Sequence, residues 1–176
     1  KKIHAKNESG YIFEQLLGHY EINMQSTILL RSFLTENHLN FSTSLQYCPD
    51  HNLFMQIAVH NEVGVVKDVI VKYRTLKNSL SSKTLQLAGA EVRYTLNSII
   101  EMHPELKNRF FKKFKQAYGK SLYYDAIAQI YDNNYRSARE VLSPVINLKF
   151  EYICLYLILF LPLPRKAVLK LLSRDV

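Results

Sequence analysis

Tryptophan is absent from this 176-residue chain, and glycine and proline occur only five times each. So little of either excludes collagen-like, low-complexity and loop-dominated architectures. Only two cysteines are present, Cys48 and Cys154, far apart and each set among apolar or aromatic residues. They read as buried free thiols rather than a disulfide framework, which points to a reducing, cytoplasmic compartment. No apolar run reaches the roughly 20 residues that cross a bilayer. The most apolar segment, Ile153 to Leu161, is closed off by Pro162 and Pro164. The opening Lys-Lys-Ile-His-Ala-Lys-Asn-Glu holds no apolar core of a signal peptide. Because the chain opens without Met and in mid-phrase, it is expected to be a fragment of a longer protein.

Several chemical signatures are missing as well. There is no Asp-x-Asp, no Gly-rich phosphate loop, no legible Ser-His-Asp order, and no His-x-x-x-His or Cys-x-x-Cys among the scattered His4, His19, His38, His51, His60 and His103. A metal site made wholly within the chain is therefore not expected.

Apolar residues make up 48% of the chain, enough for a real core in one domain or one piece of a larger one. The net charge of +8 is unevenly placed. Residues 1–106 hold 10 basic and 10 acidic side chains, whereas residues 107–176 hold 13 basic and 5 acidic ones. The natural partner of the C-terminal part is an anionic surface. Nucleic acid is not expected: Lys112-Lys113-Phe114-Lys115 stands in no recognised nucleic-acid module and reads as a solvated helix face.

Apolar spacing predicts a short helix over 11–20 that stops at Gly18, a helix around 30–36, and a longer one that begins near Asp50. The β-branched runs Glu62-Val-Gly-Val-Val and Val69-Ile-Val-Lys-Tyr predict two short strands. Beyond Lys83 the pattern is helical: 84–102, then 105–118 with Gly119 as its stop, 122–132, 135–142, an apolar helix after Ser143-Pro144, and a basic amphipathic helix from Arg165 to Arg174. The fold class is thus mainly α (α+β), with an α+β part over 1–82 and a basic helical part over 83–176.

Two side chains stand out for chemistry. Asp50 suits the N-cap or first turn of its helix, where a carboxylate meets orphan N–H groups and the positive dipole end. The same carboxylate beside a cleft can take a proton from a substrate hydroxyl. Arg74, at the end of a predicted strand, reads either as a surface charge or as a bidentate fork for phosphate or carboxylate. Ser79, Ser81 and Ser82 read as caps of the next helix or as phosphate contacts.

Taken in order, these segments resemble a known family. Gln25-Ser26-Thr27 through Leu30-Arg31, Asn40-Phe41 through Leu45, Pro49-Asp50-His51-Asn52-Leu53-Phe54, and Tyr73-Arg74-Thr75-Leu76-Lys77-Asn78-Ser79-Leu80-Ser81 are similar to the acceptor-side half of the family-2, GT-A-fold glycosyltransferases of bacterial surface polysaccharide synthesis. The resemblance implies Asp50 as general base of an inverting transfer, Arg74 and Ser79 in a loop that closes over the nucleotide-sugar diphosphate, and Ser26 and Thr27 lining the sugar and acceptor pocket. Pro49 stands where the family has glutamate, and Leu76 where it has a loop histidine. The family's nucleotide-binding half, with its Asp-x-Asp site for Mg or Mn, has no counterpart here, so this chain alone is not expected to turn over. Expected partners are a nucleotide-sugar donor, a lipid-linked or growing glycan as acceptor, and an anionic membrane surface met by 107–176 at the inner face of the membrane. The alternative from another class is a non-catalytic helical module that docks on a membrane or a partner protein.

Overall fold

Three apolar side chains at helical spacing, Phe13, Leu16 and Leu17, are buried by the first helix, α1 (Phe13–Gly18). Six residues cannot hold a helix in water by hydrogen bonding alone. Packing supplies the rest: the Phe13 ring meets Phe110 edge-on at 5.8 Å and lies 6.3 Å from Phe114. The computed structural model describes residues 8–72 and 83–172.

A single 3-10 turn, Met24–Ser26, follows α1, and the exposed α2 (Arg31–Glu36) ends at Asn37 and the left-handed His38. The third helix, α3 (Pro49–His60), starts with proline at its first position, where the missing N–H costs nothing. It buries Leu53, Phe54, Met55 and Ala58.

Among the described residues the two strands predicted after α3 do not form; Tyr73, the end of the second, lies outside them. Among the described residues the β pairing is one antiparallel bridge, Gly10 with Val63, closed by N–H···O bonds of 3.0 and 2.9 Å. Val66, Val69 and Ile70 remain exposed. A β-branched run becomes a strand only when a partner takes its ladder bonds and a core takes one face; among the described residues only Val63 finds both. The described part of the molecule is mainly helical.

A 3-10 turn, Leu85–Leu87, leads into α4 (Ala88–Met102), which stops at His103-Pro104 as expected. Pro104 opens the short α5 (Pro104–Arg109). Next comes α6 (Phe111–Tyr131), 21 residues long. The predicted break at Gly119 is overturned: the helix passes straight through it. A Cβ at Gly119 would overlap Leu148 Cδ1, so this glycine serves close packing, not helix termination. The actual interruption falls at Phe110, with φ −115° and ψ 32°.

The chain then folds back through α7 (Tyr135–Leu142), a 3-10 stretch (Ser143–Leu148), α8 (Phe150–Ile158) and α9 (Arg165–Leu172). Two cores result. One gathers Ile12, Leu16, Met55, Leu96, Ile99 and Phe114; the other gathers Ala126, Ile130, Leu142, Leu155 and Val168. Helix α6 contributes its first half to one and its second half to the other.

Candidate ligand pocket

The first core does not close completely. Between α1, α3, α4 and α6 lies a pocket of about 260 Å³, close to the smaller ligand sites, which run from roughly 300 Å³ upward. Its apolar wall includes Leu16, Met55, Val92 and Leu96. Its polar wall comes from Tyr20, from Tyr47 and Asp50 around the start of α3, from His51, and from Lys120 and Tyr124 on α6.

Glu91 fixes the acidic side of this pocket. It is buried on α4, in register with Ala88, Thr95 and Ile99. Its carboxylate accepts three consecutive backbone N–H groups, from Gln46 at 2.8 Å, Tyr47 at 2.9 Å and Cys48 at 2.8 Å. Charge-assisted bonds of this kind are the strong ones. They hold the turn before α3, and no side chain caps α3 at Cys48. Asp50 therefore sits inside the first turn, on the pocket wall, rather than at the cap position. Below it, Asn52 donates to Thr95 Oγ1 at 3.2 Å, tying α3 to α4.

Burial sets the charge state of the wall. It pushes the Cys48 thiol up to about 12, with Glu91 and Asp50 adding to the effect. Tyr47 is likewise raised to about 12, first by burial. Tyr20 is held well above its usual range by burial and then by Asp50, and Tyr124 is raised by burial and then by Cys48. His51 is lowered to about 4, by burial and then by the Lys120 charge, and burial lowers Lys120 itself. At neutral pH the phenols, the thiol and the imidazole are uncharged, which leaves Asp50 and Lys120 to set the field.

Two polar atoms of this wall are buried without a hydrogen-bond partner: Tyr20 Oη and His51 Nδ1. Their rings meet edge-on at 4.7 Å. An unmet buried donor or acceptor costs about 1–3 kcal/mol, and a polar ligand in the pocket would recover it.

Of the residues chosen from sequence, Asp50 alone is placed on this wall. The Ser26 and Thr27 hydroxyls donate to the Asn23 carbonyl at 3.1 and 2.9 Å, finishing the 3-10 turn, and neither lines the pocket. Arg74 and Ser79 lie outside the described residues. Tyr20, Glu91 and Lys120 were not singled out from sequence. Glu91 had a signal, a charge in an apolar register; Lys120 shares a helix face with Ala117 and Tyr124.

The fold also joins His60 at the end of α3 to His103 at the end of α4, with ring centroids 4.5 Å apart and nitrogens at 3.3–3.4 Å. Among the described residues no group of three or more His, Cys, Asp or Glu side chains could hold a metal ion. No family model matches the chain, and no curated protein or solved structure does.

Proposed function

We propose that the chain forms the acceptor-side part of an inverting glycosyltransferase, with Asp50 as the base. The observation that carries this reading is that Asp50, inside the first turn of α3 and not at its cap, lines a pocket with apolar and tyrosine walls. The ordered segments that resemble the GT-A acceptor half supply the reaction class.

In this reading an acceptor hydroxyl gives its proton to Asp50. The freed oxygen attacks the anomeric carbon of the nucleotide sugar from the face opposite the leaving group. The bond from that carbon to the diphosphate oxygen breaks, the nucleoside diphosphate leaves with the electron pair, and the configuration inverts. Arg74 and Ser79 would sit over the diphosphate. The donor half and its metal belong to the rest of the enzyme.

The test is Asp50→Asn in the full-length enzyme, with transfer to a lipid-linked or glycan acceptor as the readout. Loss of a general base costs about 10²–10⁴-fold. Unchanged transfer by a folded variant would remove Asp50 from the chemistry.

One observation favours a second reading, a helical module that rests on an anionic membrane. Phe150, Leu157 and Phe160 on and after α8 are 75%, 60% and 60% exposed. The exposed bases Arg165, Lys166 and Lys170 follow in α9. Among the described residues no helix is long and apolar enough to cross a membrane, so contact would be at the surface.

A further inference from the structure

The pocket has an acidic side and a basic side, and they are not paired with each other. Among the described residues no ion pair joins Lys120 to any carboxylate, although Asp50 lines the same pocket. The Lys120 ammonium instead lies 5.8 Å from the centre of the Tyr124 ring. The field of Asp50 is felt by Tyr20, Tyr47 and Cys48, and that of Lys120 by His51. Tyr20 and His51 carry the two orphaned polar atoms.

A part-buried ammonium without a counter-ion is complete only when an anion meets it. Lysine offers a compact charge with three donors, suited to a carboxylate or a phosphate. A neutral His51 with its proton on Nδ1 can donate to the same anion, while Tyr20 can bond a hydroxyl near Asp50. The pocket is about the size of one sugar ring with a substituent, not of an oligosaccharide.

We infer that the pocket takes an acidic sugar, a uronate or a sugar phosphate, with a ring hydroxyl at Asp50 and the anionic group at Lys120. This rests on the reading of the pocket as the acceptor-sugar site and adds the charge of the acceptor to it. The negative group must stay on the Lys120 side, since on the Asp50 side it would face a carboxylate. The arrangement thereby fixes the orientation of the ring as well as its class.

The test is binding to the chain itself, read by NMR titration. The probes are D-glucuronate, glucose 6-phosphate, D-glucose and inorganic phosphate. The expected result is that glucuronate or glucose 6-phosphate binds about tenfold or more tightly than glucose, as a hydrogen bond to a charged group allows. Lys120→Met should erase that preference, Lys120→Arg should keep most of it, and rising salt should weaken it. Binding of glucuronate in preference to glucose 6-phosphate marks a carboxylate site, and the reverse a phosphate site. Inorganic phosphate binding as tightly as either sugar would show a bare anion site and overturn the inference. Equal binding of glucose and the acidic sugars, lost in Asp50→Asn, would also overturn it while leaving the sugar-site reading in place. Binding by none of the probes overturns the inference, and the transfer assay on Asp50→Asn then judges the catalytic reading separately.

Discussion

Glu91 on α4 accepts the backbone N–H of Cys48 at 2.8 Å, across 43 positions of sequence. With the neighbouring bonds to Gln46 and Tyr47, this one carboxylate sets the entry of α3 and hence the position of Asp50. Replacing it acts on stability and on the pocket together. Glu91→Gln keeps the shape and loses the charge; we expect a cost of about 1–3 kcal/mol in urea unfolding. Glu91→Ala leaves three N–H groups unmet and should cost more. An unfolding midpoint that does not move in either variant would show that the bonds add nothing to the fold.

His51 gives the fold an acid limb. Its folded value, about 4, lies below the usual 6.5. Its contribution to stability is therefore fully present above about pH 6.5 and is lost as pH falls through about 4, because the unfolded chain takes up the proton first. The expected loss between pH 7 and pH 4 is about 1–3 kcal/mol, discounted for the partial exposure of the ring. His51→Gln should flatten that part of the stability curve. Equal slopes for the two proteins would contradict the assignment.

Cys48 and Tyr47 act at the other end. Each has a folded value of about 12, above its ordinary one. Their contribution is complete below pH 9, the ordinary thiol value, and fades as pH rises towards 12. Both thiols are free, but Cys154 is half-buried on α8 and not buried as expected from sequence, so at pH 8 a thiol reagent should modify it well before Cys48, with Cys48 reacting fully only in denaturant. Equal rates in the native protein would contradict the burial of Cys48.

Gly119 and Leu148 are a matched pair. Gly119→Ala places a methyl against Cδ1 of the half-buried Leu148, which must turn aside, and should forfeit much of the roughly 1 kcal/mol that alanine gains over glycine in a helix. Gly119→Ala joined to Leu148→Ala should recover part of that loss, read as a non-additive double-mutant cycle. Full additivity would mean that the two residues do not share the contact.

The exposed ridge of α8 makes its own claim. Leu157→Glu with Phe160→Glu should weaken sedimentation with anionic vesicles, and salt should weaken it for the unaltered chain as well. Absence of binding at low salt would remove the membrane reading and leave the pocket untouched.

Helices α1, α3 and α4 are legible from local apolar spacing, and the His103-Pro104 stop from the chemistry of proline. The two strands and the Gly119 break were misjudged because their outcome depends on distant partners. Among the described residues no chain edge pairs with Val65 to Ile70 as a ladder, and Leu148 decides what Gly119 is for. The site shows the same division. Asp50 could be found beside its helix start, whereas Tyr20 and Lys120 reach the pocket, and Glu91 the turn before α3, only when α1, α4 and α6 pack. Arg74 and Ser79, outside the described residues, stay as the resemblance drew them.

Helix α6 lends side chains to both cores. Stripping either core would expose one flank of α6 and loosen the rod against which the other is built. The pocket is therefore mechanically tied to the far end of the chain: a lesion at Ile130 or Leu142, remote from Asp50, should soften the grip on Lys120, and a ligand held at Lys120 should in turn brace α7 and α8 against melting.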